Sequence, residues 1–117
     1  MKIAEIVEKL NLEIVCGNTH INNPVTWGYA SDMLSDVMGN ASEGNLWITM
    51  QSHKNIIAVA LLKELTGIVL VNNHRPDGET IAQAEKEGIV ILATHLSAFE
   101  TAGRLYQLLK ENENIQS

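Results

Sequence analysis

The side chains best suited to chemistry fall in four short polar stretches: Ser31-Asp32, Ser52-His53-Lys54-Asn55, Asn72-Asn73-His74-Arg75, and the loop holding His95. Imidazoles together with a carboxylate such as Asp32 are the donors that hold zinc. His53, His74 and His95 lie on separate loops at no motif spacing, so no metal is assigned. His53, Lys54, Asn55 and Arg75 also supply charged and neutral hydrogen-bond donors, the chemistry that holds a phosphate group. Asp77, Glu79 and Glu100 work against that, because each falls at a helix start where it competes with an incoming anion. His20 sits in a turn and attracts no role. Cys16 closes an apolar stretch and reads as a core thiol rather than a nucleophile. Ser-His-Asp order, a paired-carboxylate cleft and a Cys-x-x-Cys are all missing from the sequence, as is a glycine-rich loop followed by Lys-Ser/Thr for nucleotide phosphates. No catalytic residue and no cofactor are therefore assigned. Trp27 and Trp47 have rings able to stack a base, but both fall inside predicted strands, which favours core or dimer packing.

The elements that must position these groups are clearest over residues 67 to 109. Two continuously apolar runs, Ile68-Val69-Leu70-Val71 and Ile89-Val90-Ile91-Leu92, have the character of strands covered on both faces, as in a parallel sheet. Between them a helix is expected from about Gly78, capped by Asp77 and closed by Gly88. Pro76 stops strand pairing from running on. Ser97-Ala98-Phe99-Glu100 reads as a capping box opening a last helix whose Ala98, Ala102, Leu105 and Leu109 share one apolar face. In such a sheet ligands bind beyond the carboxyl ends of the strands. The loops at 51–55, 72–76 and 94–97 should meet there, with Ser31 and Asp32 nearby.

Upstream, Ile3, Ile6, Val7 and Leu10 recur at helical spacing, predicting a short amphipathic helix over 2–10. Strands are expected at 12–16, 25–30 and 46–50, with one or two helical turns over 32–38. Residues 56–65 open with β-branched side chains, but their alanines and leucines favour a helix of about ten residues. That helix is apolar nearly all round and needs cover beyond its sheet face. In a small domain a second copy is a natural cover, so a homodimer is expected. The tail at 110–117 has few apolar groups and is expected to fray.

One α/β domain is thus expected over residues 1–109: three layers, with a mostly parallel sheet of about five strands flanked by helices. A length of 117 residues suffices for an ordinary core without metal or disulfide staples. The net charge of −6 leaves no basic stripe for nucleic acid or anionic membrane, so neither is expected as a partner. The amino terminus carries Lys2 and Glu5 where a signal peptide needs its apolar run, and no segment reaches the roughly 20 apolar residues that span a bilayer. With a single cysteine, these features indicate a cytoplasmic protein.

From Gly44 to Leu109 the sequence resembles the DRTGG domain, a small α/β module named for a short motif. Met50-Gln51-Ser52-His53-Lys54-Asn55 stands where members carry a Gly-Asp-Arg loop. Val71-Asn72-Asn73-His74-Arg75-Pro76 stands at the Thr-Gly-Gly loop, and Leu96-Ser97-Ala98-Phe99-Glu100-Thr101-Ala102 at the opening of the last helix. The acid–arginine pair and the double glycine are both replaced. Tyr29-Ala30-Ser31-Asp32 with Gly44-Asn45-Leu46-Trp47-Ile48 is similar to the wider superfamily that includes the N-terminal domains of Mur ligases and HPr kinase. The resemblance implies a stand-alone, non-catalytic module that homodimerises and regulates or scaffolds a partner enzyme or other regulatory protein. Its relatives accompany CBS, inorganic pyrophosphatase or phosphotransacetylase domains in that role. The alternative is a sensor for an adenine nucleotide or similar phosphate-bearing molecule, bound through Ser31, Asp32, Ser52, His53, Lys54, Asn55, Asn72, Asn73, His74 and Arg75.

Overall fold

A helix, α1 (Ile3–Leu10), opens the chain and buries Ile3 and Ile6 completely. The computed structural model describes residues 1–116, with side chains through Asn114. The other elements are β1 (Glu13–Cys16), a 3₁₀ turn (Asn18–His20), β2 (Trp27–Ala30), α2 (Leu34–Asn40), β3 (Asn45–Thr49) and α3 (Asn55–Leu62). They are followed by β4 (Gly67–Leu70), α4 (Gly78–Glu87), β5 (Ile91–Ala93) and α5 (Ala98–Gln116).

The five strands form one sheet in the order β1-β5-β4-β3-β2. Strands β2, β3, β4 and β5 are parallel, and β1 joins β5 antiparallel with a register shift between Ile14 and Cys16. β3 and β4 are buried at every position, as the apolar runs at their centres predict; the polar ends of β3, Asn45 and Thr49, are buried too. Helices cover both faces. Trp47, Ile68, Leu70 and Ile91 point toward α2, α3 and α4, packing with Val37, Ile56, Val59 and Ala84. Leu46, Ile48, Val69 and Leu92 point toward α1 and α5, packing with Ile3, Ile6, Leu105 and Leu109. The three-layer α/β expectation holds.

Asp77 caps α4, its carboxylate accepting the Thr80 N–H at 2.8 Å. Gly88 ends that helix in the left-handed region at φ 72°. At α5 half of the expected box forms. Ser97 Oγ accepts the Glu100 N–H at 3.2 Å, while Glu100 takes the Ser97 hydroxyl instead of its backbone N–H. α5 extends through Lys110 to Gln116; Ser117, the last residue of the expected tail, lies outside the described residues. The cover expected from a second copy over α3 comes largely from α2 and α4, which flank it. Ile56, Ile57, Val59 and Ala60 are buried, and the exposed apolar remainder is Ala58, Leu61 and Leu62. Among the described residues no helix is long and apolar enough to cross a membrane.

Candidate functional site

The carboxyl end of the sheet carries the groups singled out above, but the fold divides them into two halves. On the β2–β3 side Asp32 acts as a tie. Its Oδ1 accepts the Thr49 hydroxyl at 2.8 Å and the Met50 N–H at 2.7 Å, and its carbonyl accepts the Gln51 side-chain amide at 2.9 Å. The Ser31 carbonyl accepts the Trp47 indole N–H at 2.8 Å, and Ser31 Oγ accepts the Met33 N–H at 3.2 Å. These bonds join the ends of β2 and β3 and anchor the loop at 51–55. Ser52 is half-buried there. His53 Nδ1 accepts the Asn55 N–H at 3.4 Å where α3 begins. Lys54 Nζ lies 2.9 Å from Glu79 Oε1, and that hydrogen bond raises the lysine above its usual pKa. Lys54 and Asn55 border a groove between α3 and α4 whose other walls include Ile57, Leu61 and Gln83.

The β4–β5 side is built on a tight turn. Asn72 and Asn73 both have positive φ, 57° and 63°, and the His74 N–H closes the turn on the Val71 carbonyl at 3.1 Å. Consecutive positive φ values with that bond mark a type I′ turn, which tolerates asparagine next best after glycine. Two further backbone bonds, Asn72 N–H to the Leu96 carbonyl at 2.7 Å and Asn73 N–H to the Thr94 carbonyl at 3.1 Å, fasten this turn to the loop at 94–97.

The two loops and the β1 edge enclose a polar cavity of about 250 Å³ lined by Asn11, Glu13, Asn73, His74, Arg75, Ala93, Thr94 and His95. The Arg75 guanidinium donates to Glu13 Oε1. That bond holds the Glu13 carboxyl below its usual range and lifts Arg75 above its own. The carboxylates nearest to Arg75 in sequence, Asp77 and Glu79, are not its partners. Asp77 is instead engaged in capping α4 and Glu79 is paired with Lys54.

Asn73, His74 and Arg75 therefore share one cavity with His95. Ser31, Asp32, Ser52, His53, Lys54 and Asn55 belong to the other side, and the three rim histidines do not converge. Among the described residues no group of three or more His, Cys, Asp or Glu side chains is placed to hold a metal ion. Glu13 and Asn11 escaped the sequence reading, and Thr94 entered it only as the start of a rim loop. Glu13 lies 62 positions from Arg75 and reaches it only because β1 pairs antiparallel with β5, setting Glu13 opposite Ala93. Cys16 is buried, its thiol directed at the Ile89 carbonyl at 3.8 Å. Desolvation raises it above the usual thiol range, which suits an inert core position.

A family model described as the DRTGG domain matches residues 5–108. The chain belongs to the DRTGG domain family. Among solved structures it is similar to the CBS and DRTGG domains of the regulatory region of Clostridium perfringens pyrophosphatase, crystallised with the activator diadenosine tetraphosphate. The TM-score is 0.69 at 22% identity, over 90% of this chain and 45% of that one. The DRTGG chain thus spans less than half of that structure, and at this identity the likeness is one of fold. None of the curated proteins searched matches the sequence. Where the sequence resemblance sets the double glycine of the family motif, this chain builds a turn from Asn72 and Asn73. The residues differ, but positive φ, the backbone requirement that favours glycine, is present.

Proposed function

We propose that this DRTGG domain is a non-catalytic regulatory or scaffolding module that pairs with a second copy of itself and acts on a partner protein. The observation that carries the reading is the contrast between the two edges of the sheet. Edge strands of monomeric proteins are blunted by charge, proline or a bulge. β1 has such devices: a register shift, and Glu13 tied to Arg75. β2 has none of them. Its sequence, Trp27-Gly28-Tyr29-Ala30, is uncharged and pairs with β3 in unbroken register.

Beside the β2 edge an apolar cleft of about 130 Å³ opens against α5, between Gly28 and Ala30 on one wall and Ala102, Leu105 and Tyr106 on the other. Tyr106 is 56% exposed and Phe99, on the same helix, 88%. An edge of this kind is self-complementary. Two copies related by a two-fold axis satisfy each other's unpaired backbone groups and cover each other's aromatic rings. The likeness to a pyrophosphatase regulatory region supports an enzyme as the partner, and a free thiol at Cys16 suits a cytoplasmic setting.

Sedimentation velocity at low micromolar concentration tests the pairing. The wild type should run as a dimer, Tyr106→Glu as a monomer, and Leu62→Glu on α3 as a dimer still. A monomeric wild type would refute the reading, and dissociation by Leu62→Glu alone would move the interface to α3.

A second reading, a nucleotide sensor at the sheet rim, draws support from the activator named with the similar structure and from the donors His53, Lys54, Asn55 and Arg75. Thermal shift against a nucleotide panel, repeated with His53→Ala and Arg75→Ala, checks it. No stabilisation by any nucleotide ends it.

A further inference from the structure

The cavity between the 72–76 loop, the 94–97 loop and the β1 edge is lined mainly by charged and hydrogen-bonding side chains. Arg75, His74, His95 and Asn73 contribute a guanidinium, two imidazoles and an amide from two chain segments, with Glu13 as the facing carboxylate. We propose that this cavity binds a phosphomonoester group, with Arg75 as its anchor and Glu13 as a built-in competitor that occupies the anchor until the ligand displaces it. The inference rests on the second reading above, narrowing the ligand to the group recognised and the rim to one of its halves; it does not depend on the dimer.

Three observations point the same way. Arg75 is not spent on a structural contact, because both it and Glu13 keep about half of their side-chain surface in solvent. An exposed pair of this kind is held weakly, so exchanging one anion for another on the guanidinium changes little else. The geometry of the wall is set independently of the ligand. The Asn72–Asn73 turn is locked by three backbone bonds, and Thr94 Oγ1 accepts the Leu96 N–H at 3.2 Å, so His74, Arg75 and His95 are carried on braced loops. A carboxylate already sits on Arg75, and a guanidinium that pairs with a carboxylate also pairs with a phosphate. Donors on several sides suit a tetrahedral group with three outer oxygens better than a planar one. A volume of about 250 Å³ suits a phosphate and a small attached group.

The other half of the rim lacks this arrangement. Asp32 is consumed by Thr49 and Met50, and Lys54 is set against Glu79 across an open groove with apolar walls.

The test is amide chemical-shift mapping on the ¹⁵N-labelled full chain, titrated separately with inorganic phosphate, ribose 5-phosphate and adenosine monophosphate up to roughly 10 mM, the range of a weak single-site ligand. The expected shifts cluster at Asn11, Glu13, Asn73, His74, Thr94 and His95. Glu13→Gln should tighten binding about fivefold by removing a like charge beside the anion, and Arg75→Ala should lose it while keeping a folded spectrum. Equal binding of all three probes marks the bare phosphate as the recognised group, and preference for a phosphomonoester marks its attached portion as well. Shifts confined to His53, Lys54 and Asn55 with adenosine monophosphate would overturn the inference and leave the nucleotide reading standing. No shifts with any probe would overturn both. Unchanged affinity in Glu13→Gln would overturn the competitor assignment and the proposal with it.

Discussion

Replacing Asn73 by valine isolates the backbone demand of the Asn72–Asn73 turn. The Asn72 and Asn73 side chains are exposed, so what changes is the ease of holding positive φ, here 57° and 63°. Left-handed backbone costs an ordinary L-residue about 1–2 kcal/mol, and asparagine escapes much of that. A β-branched residue bears it in full. Should the turn open to avoid the strain, it loses the bonds from His74 to Val71, Asn72 to Leu96 and Asn73 to Thr94, each worth roughly 0.5–1.5 kcal/mol. Either route gives a loss of at least about 1 kcal/mol, a fall in melting temperature of about 4 °C or more for a domain of this size. The Asn72→Gly/Asn73→Gly variant relieves the strain but adds chain entropy, and should lie within about 1 kcal/mol of the parent. Calorimetric melting of the three proteins is the assay. Valine melting with the parent, or the glycine pair falling as far as valine, would refute the argument that backbone conformation limits positions 72 and 73.

A Cβ added at Gly28 would stand 2.9 Å from Leu105 Cδ2. Gly28→Ala should therefore cost about 1–3 kcal/mol, Leu105→Ala about 2–5, and the pair less than their sum in urea unfolding; strict additivity would count against the contact. Thr101 Oγ1 is buried without a hydrogen-bond partner, so Thr101→Val should stabilise by roughly 1 kcal/mol, and destabilisation would mean that a bound water holds the hydroxyl. The Thr80 N–H lowers the Asp77 carboxyl from its ordinary 3.8, and Arg75 lowers Glu13 from 4.5. Depressed folded pKa values give stability that is complete above those ordinary values and is lost as pH falls through the folded ones. Urea midpoints should be flat from about pH 6 to pH 5 and drop below that, with a shallower drop in Asp77→Asn; an unchanged slope would refute the capping contribution.

Local rules sufficed where the deciding atoms are close in sequence. The apolar runs at 68–71 and 89–92 could be satisfied only by burial on both faces, so parallel pairing and helices on two sides followed. Asp77 and Gly88 marked the ends of α4 because capping depends on backbone groups within a few residues. The positions of the rim loops were legible for the same reason. Chain-distant pairings were another matter. Nothing in Leu12-Glu13-Ile14-Val15-Cys16 tells which neighbour it will have, and only its antiparallel place on β5 brings Glu13 to Arg75. The cover of α3 was likewise a question of which helices lie beside it. α2 and α4 supply most of it from within the chain, leaving Leu61 and Leu62 of α3 in solvent alongside Phe99 and Tyr106 of α5. The kinds of side chain at the rim were set by sequence. Which of them share a cavity was decided by strand order and direction, because the sheet places the carboxyl end of each strand beside neighbours that sequence distance does not reveal.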